Sequence, residues 1–238
     1  MDDSIILDKF TDFGLTRQEA AIYVCLFQNG EMTGYEVAKQ TGIARSNVYG
    51  GLSGLVDKGA AYLIEGASSR YTAVSVDEFC DNKIRSLGRE RDYLVKNMPA
   101  VTALSEGYIT IEGAKNIRNK IFSMLEKARQ RIYLSAPGVF VESIRNELEE
   151  TAGKGIKLVL ITDNMIAVPN AILYRSDKKE NQLRLIIDSL YVLTGDIGGE
   201  NTDTCLYSGQ ANFVNVFKEA LRNEIKLIEL TKGENSNG

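Results

Sequence analysis

The segment from Leu15 to Ala73 constrains the fold more than any other part of the chain. Thr16 and Glu19 match a capping box, in which a hydroxyl and a carboxylate each satisfy a backbone N–H group at a helix start. Thr33 and Glu36 repeat this pattern before a second, shorter apolar stretch. With apolar residues at helical spacing, these starts predict a helix, a short helix and, after a tight glycine-containing turn, a third helix. The predicted arrangement is a helix-turn-helix.

The third helix is predicted from Arg45 to Lys58, and two strands, 61–64 and 70–74, follow it around a tip rich in glycine and serine. A helix-turn-helix with such a hairpin is a winged helix, a module that most often binds DNA. Its recognition helix places its first turns in the major groove. We predict that the recognition helix and wing contribute the DNA-binding residues Arg45, Ser46, Asn47, Tyr49, Lys58, Ser69 and Arg70.

These residue types suit DNA. Arginine fits a guanine edge or a phosphate, asparagine fits adenine, and hydroxyl groups fit phosphate oxygens. An ordinary solvated helix start is the alternative for Arg45 and its neighbours. Gly50, Gly51 and Gly54 lie inside the same helix, where each costs about 0.5–1 kcal/mol relative to alanine. They either allow a close approach to DNA or to neighbouring helices, or leave the helix frayed until DNA binds.

Composition excludes several classes of chemistry. The chain has no histidine, which excludes catalytic triads and most transition-metal sites, so we expect neither a metal nor a cofactor. Its three cysteines are far apart, which is typical of reduced thiols in a cytoplasmic protein. The start of the chain is acidic, unlike a signal peptide, and no apolar run approaches the ~20 residues that span a bilayer. The net charge of −4 predicts weak non-specific DNA binding.

A long helix is predicted from Ser75 to about Met98, before Pro99. Its apolar residues recur with the a/d spacing of a coiled coil, with Arg91 as one polar member. The predicted dimerisation residues are Cys80, Ile84, Leu87, Leu94 and Met98. A plain amphipathic helix packed on its own domain is the alternative. Because winged-helix proteins usually bind paired half-sites, we favour a dimerisation helix and a homodimer.

From Gly107 onward, predicted strands alternate with predicted helices. The strands are predicted at 108–111, 131–135, 156–162, 183–187, 190–193, 204–207 and 225–230, and the helices at 114–130, 139–152 and 211–223. This alternation predicts an α/β layer with a partly parallel sheet, which binds ligands beyond the carboxyl ends of its strands. We place Ser135, Asp163 and Asp188 there as candidates for binding a small-molecule effector, although polar strand ends are often merely solvated.

Nearly the whole chain resembles the TrmB-like transcriptional regulators. The segments that support the resemblance are LTRQEAAIYVCLFQNG, TGYEVAKQTGIARSNVYGGLSGLVDKGAA, RYTAV, YITIEGAKNIRNKIFSML, RIYLSAPG, IKLVLITDN and RLIIDSLYVLTGD. The resemblance implies an α+β chain with a winged helix-turn-helix DNA-binding domain at 1–74, a coiled-coil linker helix at 75–106 and a degenerate phospholipase D-like α/β domain at 107–238. It also implies that two chains are needed to form the cleft that an active phospholipase D builds from two similar halves.

Two departures from the family pattern limit what the resemblance implies. If Asp188 is the aspartate of the phospholipase D signature HxKxxxxD, Asn181 and Leu183 occupy the histidine and lysine positions. We therefore expect no enzyme activity. Longer family members bind sugars with an additional C-terminal region, and this chain ends near that point, so sugar binding is not expected to carry over.

Three hypotheses about function follow. The leading one is a dimeric, sequence-specific transcriptional regulator that binds double-stranded DNA and has a non-catalytic second domain. The alternatives are an enzyme of the phospholipase D or nuclease class delivered to DNA by the winged helix, and a winged-helix module that binds proteins. The absence of histidine argues against the enzyme hypothesis, whereas the negative net charge is compatible with the hypothesis of a protein-binding module.

Overall fold

The structure is a computed structural model of the chain and describes residues 3–66, 68–99, 107–164, 166–177, 179–198 and 202–234. It divides into two compact units, Met1–Ala100 and Val101–Gly238, and each has its own hydrophobic core. In the described ranges, no helix is both long and apolar enough to cross a lipid bilayer.

The first unit is a winged helix followed by a long helix, as predicted. Its elements are α1 (Asp3–Asp12), α2 (Arg17–Asn29), β1 (Met32–Thr33), α3 (Gly34–Thr41), α4 (Arg45–Asp57), β2 (Ala61–Ile64), β3 (Arg70–Ala73) and α5 (Val76–Asn97). Both predicted capping boxes are present, at the starts of α2 and α3. The sequence did not predict α1 or β1. Strand β1 pairs with β3 through Thr33 and Arg70, which makes the wing a three-stranded sheet of order β1-β3-β2.

An aromatic cluster closes the core of this unit. The rings of Phe10 and Tyr23 lie 4.8 Å apart, and those of Tyr23 and Phe79 lie 6.1 Å apart. The Tyr23 hydroxyl donates a hydrogen bond to the carbonyl of Val74 at 2.7 Å. Because Phe79 belongs to the first turn of α5, these contacts fix the start of the long helix on the winged helix.

The second unit is a three-layer α/β structure. Its elements are β4 (Ile109–Glu112), α6 (Ala114–Lys127), β5 (Arg131–Ser135), α7 (Gly138–Ser143), α8 (Arg145–Gly153), β6 (Lys157–Thr162), β7 (Ala171–Arg175), β8 (Gln182–Ile187), β9 (Tyr191–Asp196), β10 (Thr204–Ser208) and α9 (Ala211–Glu234). The strand order is β4-β10-β9-β8-β5-β6-β7. Strands β5, β6 and β7 run parallel, and the other neighbours pair antiparallel. The predicted partly parallel sheet is confirmed.

Both faces of this sheet are covered. Helices α6, α7 and α8 contribute to the large core cluster on one face, which includes Ile121 and Leu148. On the other face, Val214 and Leu221 of α9 form a cluster with Ile161 and Ile186.

The predicted strand at 225–230 is wrong, because α9 continues through it to Glu234. Ile225 and Ile228, three residues apart, pack on the sheet, whereas Leu227 and Leu230 are 64% and 68% exposed. This spacing continues the helical stripe from Leu221, and a short apolar run does not by itself separate it from a strand. The predicted helix at 139–152 is divided at Ile144 into α7 and α8, and β7 was not predicted.

Candidate DNA-binding interface and effector site

Helix α4 has a polar side and a buried side, as a recognition helix requires. Val48, Leu52 and Leu55 are fully buried in the core. The predicted DNA-binding side chains at the start of the helix, those of Arg45, Ser46, Asn47 and Tyr49, are exposed. The same four residues are therefore available to a ligand on the outer face.

Tyr35, which was not among the predicted site residues, contacts the side chain of Arg45. The Arg45 guanidinium lies 4.4 Å from the centre of the Tyr35 ring, a cation–π contact between α4 and the start of α3. Tyr49 lies on the backbone of Gly34, where an added Cβ would be 2.5 Å from the Tyr49 ring. The cation–π contact with Tyr35 orients Arg45 before any ligand binds. A tyrosine next to the glycine at the start of α3 was the signal in the sequence.

The first turn of α4 has no side-chain cap, unlike those of α2 and α3. Its N-cap residue is Ala44, which has no side-chain oxygen to accept a backbone N–H. The free N–H groups at the start of a helix and the helix dipole together favour a bound anion such as a phosphate. The N-terminal end of α4, which is predicted to face DNA, is therefore not capped by a side chain.

Two of the three glycines inside α4 have a packing role. A Cβ on Gly51 would lie 2.5 Å from Cδ1 of Ile22, and a Cβ on Gly54 would overlap the carboxylate of Glu19. Both neighbours belong to α2. A Cβ on Gly50 would meet nothing within 4 Å. Of the alternatives for these glycines, the structure supports close helix packing at Gly51 and Gly54 and leaves Gly50 on the outer face.

Lys58 already has an ionic partner inside the unit. Its ammonium lies 2.6 Å from Glu19. Burial would raise the pKa of Glu19, but the hydrogen bonds from Lys58 and Thr16 hold that pKa below its usual value. This pair joins the end of α4 to the start of α2, so a structural role competes with the predicted contact of Lys58 to DNA.

Arg70 is also held within the unit, at the base of the wing. Its guanidinium donates to the carbonyl of Glu31 at 2.7 Å and lies 3.6 Å from the Glu36 carboxylate. Ser69, the neighbouring predicted DNA contact, is exposed. A phosphate contact by Arg70 would have to compete with these acidic partners, and it stays a prediction.

Helix α5 presents an apolar face that is exposed within the part of the chain that the structure describes. Ile84, Leu87, Leu94 and Met98 are 59%, 55%, 55% and 66% exposed. Cys80, the remaining predicted dimerisation residue, is partly buried against the winged-helix core. Of the predicted dimerisation residues, those from Ile84 onward are therefore the ones exposed to a partner helix.

The structure separates the three predicted effector residues, which corrects the predicted cleft. Ser135 ends β5 and Asp163 follows β6, so both lie at one edge of the sheet. Asp188 follows β8, which runs antiparallel to β5, and its N–H donates to the carbonyl of Arg131 at the opposite edge. All three residues were predicted at or near the carboxyl ends of strands, and no sequence pattern indicates that β8 runs antiparallel to β5.

Both aspartates have structural partners. The Asp188 carboxylate accepts the backbone N–H groups of Arg129, Gln130 and Arg131 at 2.8–2.9 Å. Asp163 accepts the N–H of Gly138 at 2.7 Å. Burial would raise the pKa of each aspartate, but the backbone N–H donors hold it below its usual value. Each carboxylate thus anchors a loop.

The edge with Ser135 and Asp163 also contains the two positions at which the resemblance would place the histidine and lysine of the phospholipase D motif. Leu183, at the lysine position, is fully buried, and the carbonyl of Asn181, at the histidine position, accepts the N–H of Ile197. Nearby, Lys179 and Arg184 both pair with Glu224 of α9. Burial and the Arg184 charge lower the pKa of Lys179 to about 8. Among the residues that the structure describes, no group of acidic, cysteine or histidine side chains is arranged to hold a metal.

Comparison with known proteins assigns both units to one family. Residues 10–77 match the family model described as "Sugar-specific transcriptional regulator TrmB", and residues 107–198 match "Transcriptional regulator TrmB, EBD N-terminal subdomain". YrhO, an uncharacterized protein of Bacillus subtilis (strain 168), is 24% identical, and the alignment covers 95% of this chain and 86% of YrhO.

Two archaeal proteins are also similar. The HTH-type sugar sensing transcriptional regulator TrmBL1 of Pyrococcus furiosus is 26% identical over 72% of this chain, and the chain spans 53% of the length of TrmBL1. The solved structure of TrmBL2, an archaeal chromatin protein, aligns with a TM-score of 0.43 at 20% identity and covers 94% of this chain and 98% of that one.

The winged helix, the open start of its recognition helix and the two matched models define a class, the winged-helix transcriptional regulators that bind DNA. Within that class, the chain is a TrmB-like transcriptional regulator.

Proposed function

We propose that the chain acts in the cytoplasm as a homodimer that binds a specific double-stranded DNA sequence, with a second unit that is not catalytic. The observation that supports specific binding is the exposed group Arg45, Ser46 and Asn47 at the uncapped start of α4. These side chains can reach base edges while the helix start binds a phosphate.

Each residue has a distinct role in this proposal. Arg45, oriented by Tyr35, donates to a guanine edge, and Asn47 makes a bidentate contact with adenine. Ser46 and Tyr49 donate hydroxyl hydrogen bonds to phosphates. Gly50 follows on the outer face and lets the helix backbone approach the groove.

Dimerisation supplies a second recognition helix, which binds the second DNA half-site. The exposed apolar residues of α5 pack against the same residues of a second chain, which is the isologous contact of a two-fold dimer. Two recognition helices held this way bind half-sites about one helical turn, or a multiple of it, apart. A small-molecule effector could then act by binding two arrangements of the dimer unequally.

Substitution of the two base-reading residues tests specific binding. Arg45→Ala and Asn47→Ala should each weaken binding by about 1–3 kcal/mol, the range for a lost base contact. The measurement is fluorescence anisotropy on a duplex selected by the wild-type protein from random sequences. Lys9→Ala, which removes a positive charge from α1, is the control and should leave the affinity unchanged.

A scrambled duplex separates base contacts from charge. The Asn47→Ala variant should lose affinity for the selected duplex only, because asparagine contributes no charge to non-specific binding. Wild-type affinity in both variants would show that α4 does not occupy the groove and would contradict the proposal.

A further inference from the structure

A cavity of about 950 Å³ opens at the Asp188 edge of the second unit, between α6, the ends of β9 and β10, and the start of α9. It lies at the edge opposite Ser135 and Asp163, away from Asn181 and Leu183. Its walls combine positive charge with aromatic rings. The lining residues that matter are Lys120, Lys127, Arg129, Asp188, Tyr191 and Tyr207.

The charge in this cavity is unbalanced. Within the described part of the chain, Lys120, Lys127 and Arg129 form no ion pair within 4.0 Å. Asp188 is the only carboxylate among the lining residues that the structure describes, and three backbone N–H groups already occupy its oxygens. The cavity therefore presents excess positive charge and donors to any molecule that enters.

Lys120 is held over an aromatic ring in this cavity. Its ammonium lies 3.5 Å from the centre of the Tyr207 ring. Burial, and then the charge of Lys127, lower the pKa of Lys120. Two ammonium groups near each other in a partly buried site repel, and an anion between them would offset that repulsion.

The N-terminal end of α9 also contributes positive charge to the cavity. Gln210, Ala211 and Asn212, at the N-terminal end of this 24-residue helix, are lining residues. The helix dipole adds a partial positive charge at that end. The lysines and the helix start come from distant parts of the sequence, so their convergence on one cavity comes from the fold.

Aromatic rings provide the other wall. Tyr191 and Tyr207 are stacked, with ring centres 5.7 Å apart and planes 11° apart. Met124 and Ile109 extend this surface. A flat or apolar portion of a ligand can lie on these rings while its charged group reaches the lysines.

We propose that this cavity binds a small anionic molecule, whose phosphate or carboxylate group contacts Lys120, Lys127 and the start of α9 and whose ring lies against Tyr191 and Tyr207. A role for this molecule as the effector rests on the proposed function. The binding itself does not, because it needs neither DNA nor a dimer.

Calorimetric titration of the full chain without DNA tests binding. Phenyl phosphate and benzoate are the anionic probes, phenol is the matched neutral ring, and inorganic phosphate lacks the ring; ionic strength is held constant. The anionic ring compounds should bind, phenol should not, and inorganic phosphate should bind more weakly than phenyl phosphate. The stronger of phenyl phosphate and benzoate identifies the anionic group that the site prefers.

Matched lysine variants locate the site. Lys120→Gln and Lys127→Gln should each weaken binding about tenfold, the loss of one charge-assisted hydrogen bond. Lys115→Gln, on the exposed surface of the same helix and outside the cavity, should bind like the wild type. Lys127 is exposed, so its variant should remain folded even if the Lys120 variant does not.

Three results would overturn the proposal. The first is no binding of either anionic ring compound at about 10 mM, a concentration that detects even weak sites. The second is equal binding by the Lys127 and Lys115 variants. The third is loss of DNA affinity in Lys127→Gln without any binding of the small anions, which would make the basic cluster a DNA contact. Failure of DNA binding alone would concern only the proposed function.

Discussion

Glu19 connects two helices of the winged helix through one carboxylate. It accepts the N–H of Thr16 and the ammonium of Lys58, both at 2.6 Å, and its oxygen occupies the space that a Cβ on Gly54 would need. At the residue scale, a cap for α2 is therefore also the packing contact of α4. Whether a glycine of α4 can be replaced by a larger residue therefore depends on whether it faces α2.

Adjacent glycines give a matched test of that packing. Gly50→Ala should raise the free energy of unfolding by about 0.5–1 kcal/mol, because alanine favours the helix and meets no neighbour. Gly51→Ala should instead lower it, because the methyl group must displace the fully buried Ile22 and such overpacking costs about 1–3 kcal/mol. Urea denaturation followed by circular dichroism measures both. Equal stabilisation by the two alanines would show that α4 and α2 are not closely packed.

At the scale of elements, α5 has two different halves. Phe79 at its start is buried in the winged-helix core, whereas Leu87 and Leu94 further along are more than half exposed. A helix that is anchored at one end and apolar beyond it needs a partner for its free face. We propose that a second copy of the same helix packs on this face, because the a/d spacing of a coiled coil is already present.

Charged substitutions in that face test the dimer. Leu87→Glu and Leu94→Glu should each shift the protein from dimer to monomer in sedimentation velocity, because glutamates at d positions would meet each other in a coiled coil. Tyr93→Glu is the control: Tyr93 is exposed on the same helix but lies outside the seam, so its variant should remain a dimer. A wild-type protein that sediments as a monomer, or an unchanged dimer in both leucine variants, would contradict the prediction.

The elements with local signals were predicted from the sequence. Capping boxes at Thr16 and Thr33 and an a/d spacing from Cys80 onward depend only on near neighbours, and the corresponding helices are present. The end of α9 was mistaken for a strand because Ile225 to Leu230 is apolar in both patterns. Whether such a run forms a strand or a helix depends on the sheet it packs against.

The candidate sites divide in the same way. The exposed start of α4 at Arg45 follows from helical periodicity, and it was predicted. The pairing of Lys58 with Glu19 joins residues 39 positions apart, and the contact between Lys120 and Tyr207 depends on the order of the strands. Because β8 runs antiparallel to β5, Asp188 lies at the edge of the sheet opposite Ser135. These features are set by tertiary structure, which no local pattern specifies.

On the scale of the whole molecule, the chain combines a winged helix with an α/β unit whose sequence resembles a phospholipase D-like domain. If Asp188 is the aspartate of the phospholipase D motif, its carboxylate is already engaged, because it accepts three backbone N–H groups and so holds a loop. The aspartate at this position therefore has a structural role that does not depend on catalysis. The cavity beside Asp188, lined by Lys120 and Tyr207, lies at the opposite edge of the sheet from Asn181 and Leu183.

We expect the purified protein to have no phosphodiesterase activity. Phospholipase D chemistry needs a histidine nucleophile and a lysine, but the chain has no histidine and Leu183 is fully buried in the sheet. Dimerisation cannot restore the site, because a second copy brings the same Asn181 and Leu183. The measurement is release of nitrophenolate from bis(p-nitrophenyl) phosphate and cleavage of plasmid DNA, with an active phospholipase D-family nuclease as the positive control. Hydrolysis that co-elutes with the protein through two different columns would show that another group in the second unit is a nucleophile.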